Sequence, residues 1–106
     1  QQFIPDINHD KLYNSYAITR YENKIYIIAK SSDVVALLDY KGKIIFSGNY
    51  SSIKVMNGYI HFFKDQFGGI ATLNGDIIID LIEGRIYEEE EYFYYFSNKE
   101  KVMVNK

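Results

Sequence analysis

The chain has no cysteine and no tryptophan, a single proline, and no apolar run longer than a few residues. Without cysteine there is no disulfide framework, no thiol nucleophile and no thiolate metal ligand, and the redox compartment stays open. Without a long apolar run there is no membrane-spanning helix to expect. Charge is nearly balanced, with 12 basic and 14 acidic residues in 106 and a net charge of −2. That balance gives no pull toward nucleic acid or an anionic membrane. Histidine is scarce, at two residues, and neither lies in a Ser/His/Asp spacing that would build a nucleophile. The chain opens on Gln1-Gln2-Phe3 rather than Met, which reads as a processed protein or an excised fragment.

What is present is aromatic and strand-like. Eleven Tyr and seven Phe accompany many Ile and Val, and such residues favour pleated, half-buried strands. The stretch "LLDYKGKIIFSGNYSSI" is echoed by "ATLNGDIIIDLIEGRI". Gly42 and Gly75 lie 33 residues apart, as do Leu37 and Ile70, Ile44 and Ile77, Phe46 and Ile79, and Tyr59 and Tyr92. Upstream the offset reads 34, from Tyr16 to Tyr50 and Asn23 to Asn57. A fixed period in this range marks a repeat array in which each unit is one supersecondary element. The copies divide the single domain into a lead-in with a partial repeat (1–24), two repeats (25–58 and 59–91) and a partial third (92–106).

Within a copy the pattern alternates. "VVALLD" and "KIIFS" flank Lys41-Gly42, and "GIATL" and "DIIID" flank Asn74-Gly75. Asn-Gly between apolar runs predicts a tight hairpin of type I′, and Asn57-Gly58 predicts another. Pairing across these turns sets Thr72 opposite Ile77, Ile70 opposite Ile79 and Leu37 opposite Phe46. The predicted core is therefore Leu37, Ile44, Phe46, Ile70, Ile77 and Ile79. Apolar residues on the other face (Leu38, Ile45, Ala71 and Ile78) call for a second covering layer. The expected fold class is all-β: an antiparallel meander of nine or ten short strands in tandem 33-residue repeats. It would form a coiled sheet, a barrel-like roll or a propeller-like fragment.

The spacing of Asp39, Gly42, Lys43, Ile44, Ile45, Tyr50 and Ile53 resembles the WG-repeat (KWG-type) proteins. Gly69, Ile70, Ala71, Gly75, Ile77, Ile78 and Ile86 carry it in the second copy, and the resemblance as a whole covers roughly residues 26–106. Val35 and Gly68 stand where the family has Trp, Thr72 where it has Asp, and Glu83 where it has Tyr. The resemblance implies a bacterial β-repeat scaffold without shared catalytic residues.

Few residues suggest chemistry. His61, in "YIHFFK", is polar at an otherwise apolar strand position, in register with Ile27; it reads first as a hydrogen-bonded structural histidine, and otherwise as a partner or ligand contact or a base. His9 lies among Asn8, Asp10 and Asp6, without metal-ligand spacing. The run from Glu88 to Glu91, followed by "YFYYF", solvates a turn beside a strand. It also offers contacts to a partner through Tyr87, Glu89, Glu90, Tyr92, Tyr94 and Tyr95. Gly68-Gly69 precedes a strand, so it cradles no phosphate. Asn49-Tyr50-Ser51 fits a glycosylation sequon that matters only in a secreted eukaryotic protein.

The sequence therefore points to a non-catalytic interaction or structural module with a protein or glycan partner. It needs no cofactor or metal, binds no nucleic acid and inserts in no membrane. A secreted or surface location fits it better than the cytoplasm. A glycan-binding module using exposed Tyr rings, or an accessory domain of an enzyme, is the alternative. The final strand "KVMVNK" calls for a protected edge. Its charges favour a monomer, closed against the lead-in "FIPDI" or ending there, over a dimer.

Overall fold

A computed structural model of the chain describes residues 13–106. His9, Asp6, Asp10 and the segment "FIPDI" lie outside the described residues. Strands account for 66% of the described residues, and none of these residues is helical. No helix among the described residues is thus long and apolar enough to cross a membrane.

Among the described residues eleven strands run antiparallel in chain order, one or two more than the periodicity predicted. The first sheet is β1 (Ser15–Tyr21), β2 (Lys24–Lys30), β3 (Val35–Asp39) and β4 (Ile44–Gly48). The second is β5 (Ser52–Met56), β6 (Tyr59–Lys64), β7 (Phe67–Thr72) and β8 (Ile77–Glu83). The third holds β9 (Tyr87–Glu88), β10 (Tyr92–Ser97) and β11 (Glu100–Asn105), with β10 in the middle. The barrel-like expectation is corrected: three separate sheets form among the described residues, with no closed barrel.

Two kinds of turn stand at the three predicted positions. Met56 pairs directly with Tyr59, and Asn57 (φ 53°) and Gly58 (φ 82°) make the predicted two-residue turn. Positive φ at both central residues is the type I′ signature, and its twist matches that of the flanking strands. The turns at Gly42 and Gly75 differ from the prediction. The Gly42 N–H donates to the Asp39 carbonyl (3.0 Å) and the Gly75 N–H to the Thr72 carbonyl (2.9 Å). Only the glycines take positive φ there (89° and 92°). Each is a type I turn closed by a glycine bulge.

Side chains lock these turns. Asp39 Oδ1 accepts from the N–H groups of Lys41 and Lys43, both at 2.9 Å. Thr72 Oγ1 accepts from Asn74 (3.3 Å) and Asp76 (3.2 Å) in the same way. The Thr that stands in place of Asp therefore does the same work.

The bulges correct the predicted register. Ile70 pairs with Ile79 and Leu37 with Phe46 as expected, but Ile77 lies opposite Ala71 rather than Thr72, and Ile44 lies opposite Leu38. The extra residue turns the strand start outward. Ile44 and Ile77 are 40% and 47% exposed and leave the core, whereas Leu37, Phe46, Ile70 and Ile79 are buried.

The sheets stack face to face. Tyr26, Val35, Leu37 and Phe46 of the first meet Ile53, Ile60, Phe62 and Ala71 of the second. The opposite face of the second sheet sets Ile70 and Ile79 against Phe93, with Tyr59, Ile86, Tyr95 and Val104 around them. The remaining face of the first sheet (Ile27, Ala29, Ala36 and Leu38) packs with Tyr13. For Ile45, Ala71 and Ile78 the neighbouring sheet is the covering layer that two-sided strands require.

Cross-strand partners recur at a constant offset. Tyr26 faces Asp39, Tyr59 faces Thr72 and Tyr92 faces Asn105, each 33 residues after the last. On that register His61, opposite Ile70, corresponds to Ile28, opposite Leu37, and not to Ile27. The hairpin upstream is two residues longer, with its turn between Tyr21 and Lys24.

Candidate functional site

Alternation along β10 divides its aromatics between two faces. Phe93 and Tyr95 point at the second sheet and belong to the core between them. Tyr92, Tyr94 and Phe96 take the other face. Tyr87 of β9 and Met103 of β11 lie directly opposite Tyr94 on either side. Of these, Tyr87, Phe96 and Met103 are 38%, 53% and 55% exposed. Among the described residues, the face is an aromatic surface on which no other sheet packs.

Its rings are mutually ordered. Tyr87 and Tyr94 stack with centroids 4.9 Å apart and planes 14° from parallel. Phe96 meets Tyr94 edge-on at 6.0 Å, and Tyr92 lies 6.1 Å from Tyr94. Two cations cover this cluster. Lys101 Nζ sits 4.4 Å from the Tyr94 centroid, and Arg85 lies 5.7 Å from that of Tyr87. Each is attracted by the negative face of its ring.

Of the residues singled out in the sequence, Tyr87, Tyr92 and Tyr94 come together here. Tyr95 does not, because it faces inward. Glu89 and Glu90 sit exposed in the turn from β9 to β10, which closes through the Glu89 N–H donating to the Tyr92 carbonyl (2.8 Å). They rim the aromatic strand without entering its face.

His61 lies elsewhere, between the second and third sheets. Its Nε2 is buried and has no hydrogen-bond partner. Burial holds the imidazole pKa below its usual 6.5. The Glu88 carboxylate opposes that shift, Lys54 adds to it, and a hydrogen bond with the Met56 backbone opposes it. Glu88 was not singled out in the sequence for any role of its own. Lys106 Nζ donates to it at 2.7 Å and Asn57 Nδ2 at 3.2 Å. Burial pushes the Glu88 carboxyl up, but those hydrogen bonds and the neighbouring charges of Lys106 and His61 bring it below its usual value.

A cavity of about 420 Å³ opens beside His61, lined among others by Phe63, Gly68, Ile70, Arg85 and Glu88. A larger groove of about 650 Å³ runs along the turns of the first two sheets, past Asn23, Tyr40, Lys43 and Asn74. It contains no stranded polar atom, and its carboxylate, Asp39, is already occupied in capping a turn. Among the described residues no group of three or more His, Asp or Glu could hold a metal ion.

Compared with known proteins, the chain matches no family model, no curated protein and no solved structure.

Proposed function

We propose that the protein is a non-catalytic β-repeat module, of the kind its resemblance to WG-repeat proteins implies, that docks a partner protein on the outer face of its third sheet. The 33-residue recurrence of cross-strand partners supports tandem units. Face-to-face stacking of successive meanders supports a propeller-like arrangement.

The observation that carries the docking reading is the cluster of Tyr87, Tyr94, Phe96 and Met103 on a face that no sheet among the described residues covers. Contiguous aromatic surface rimmed by charge is how interaction sites differ from scattered apolar residues. The stacking already used twice in this chain says what fits: an apolar sheet face. Arg85 and Lys101 add that the partner should bring carboxylates opposite them. A glycan stacked on these Tyr rings is less well supported, because Tyr94 is engaged by Tyr87 and by the Lys101 ammonium.

Combining Lys101→Glu with Met103→Lys tests the reading. The variant should stay folded and lose the partner that the parent protein binds. Undiminished binding by the folded variant would refute the docking face.

A further inference from the structure

We propose that the cavity between the second and third sheets binds a small polyhydroxylated ligand of monosaccharide size, held by His61 and Glu88. The inference does not depend on the docking face of the third sheet.

It begins from a comparison inside the chain. Where the first sheet meets the second, Ile28 and Val35 help to fill the interface. At the same register, 33 residues on, the second sheet carries His61 and Gly68 toward the third. One filler has become an imidazole and the other has no side chain. A cavity of about 420 Å³ results, at the small end of the roughly 300–1,000 Å³ of ligand pockets.

Nothing in the backbone requires the glycine. Gly68 is not among the residues with positive φ. A Cβ there would meet only the Phe63 ring, at 3.6 Å, an ordinary contact. Glycine in a strand weakens it, so the space is held open against stability, as functional sites are.

The lining then selects the ligand. His61 is neutral near pH 7 and bonded to the Met56 backbone, so its stranded Nε2 presents a lone pair. That atom needs a donor, and the Glu88 carboxylate accepts as well. Arg85 lines the rim with its guanidinium over the Tyr87 ring, while Phe63 and Ile70 give an apolar wall. A free anion would meet Glu88, and a cation would meet Lys106, which already pairs with that carboxylate. A purely apolar guest would leave Nε2 unpaired, at the cost of its desolvation. A sugar ring satisfies all of these groups, since each hydroxyl both donates and accepts and its C–H face suits the apolar wall.

Carbon-13 NMR of the His61 imidazole, titrated with D-glucose, D-galactose and N-acetyl-D-glucosamine, tests this. At least one sugar should give a saturable shift and lower the His61 pKa further, because its donors hold the neutral form. Gly68→Val, which fills the space as Val35 does, should weaken that sugar by at least about tenfold. His61→Ile, read on the Ile70 methyl signal, should do the same. No saturable shift with any of the three sugars would overturn the proposal. So would equal affinity in both variants, or a lone ordered water on Nε2 that no sugar displaces.

Discussion

Gly69 lies under the ring of Phe62: a Cβ built on Gly69 collides with Phe62 Cζ and Cε2 and comes within 2.8 Å of the Ile79 carbonyl oxygen. Phe62 is fully buried and pairs with Gly69 across β6 and β7. The bare strand position is filled by its neighbour's ring, so the glycine is part of the core. Gly69→Ala should cost about 1–3 kcal/mol, as overpacking does. Gly68→Ala, one residue away and unobstructed, should be neutral or stabilise by about 0.4–1 kcal/mol. Urea titration of the two variants separates them, and equal losses would contradict the packing.

Gly75 combines two constraints. Its φ is 92°, and a Cβ there would strike the Ile45 carbonyl oxygen, because the turn packs on the first sheet. Gly84 has φ 100° but nothing within 4 Å of its would-be Cβ. Both Ala substitutions carry backbone strain of order 1–3 kcal/mol. Gly75→Ala should lose more, because it also forces the two sheets apart. Thermal unfolding that ranks Gly84→Ala as the worse variant would show that this turn does not touch the first sheet.

Core and rim should respond differently. Phe46 and Ile79 are buried between sheets, so replacing either with Ala should destabilise by about 2–5 kcal/mol. Glu89 and Glu90 are exposed on a turn, and Ala at either should change stability by less than about 0.5 kcal/mol. Denaturant midpoints of the four variants check the assignment, which comparable shifts would reverse.

Acid should act in two windows. The folded His61 pKa lies below 6.5, so the unfolded chain takes up that proton first. Stability from this group is complete above pH 6.5 and falls as pH drops from there to the folded pKa. Glu88 is lowered from 4.5, so its contribution persists above pH 4.5 and is lost as pH falls through its folded pKa. Stability measured against pH in His61→Ile should lose the upper slope and keep the lower one. His9 is common to both proteins and cancels. An unchanged upper slope would mean that His61 is not the group titrating.

Local chemistry was legible in the sequence and non-local packing was not. The turn at Asn57-Gly58 could be read because its φ requirement is met by two adjacent residues. Placing Ile44 and Ile77 in the core failed because Asp39 and Thr72 capture the following N–H groups and add a bulge residue. A side-chain hydrogen bond there decides the register. Tyr95 was grouped with Tyr94, although alternation separates them as soon as Phe93 is known to face inward. The replacement of Ile28 and Val35 by His61 and Gly68 is visible at the 33-residue offset. What Arg85 and Glu88 add depends on how the β8–β9 segment crosses the sheet interface. Separate stacked sheets, as opposed to a closed barrel, follow from contacts between sheets that no strand pattern encodes.

The docking face is tested most directly by placing a photocrosslinking side chain at Met103 and, as a control, at Ile18. Both positions are more than half exposed, at 55% and 57%, but only Met103 lies among the clustered rings. In the native host extract, position 103 should form an adduct with another protein, mapped on that partner to an apolar strand flanked by Asp or Glu. Position 18 should form none. Adducts from position 18 alone, or an adduct from position 103 of twice the chain's own mass, would contradict the docking of a separate partner on this face.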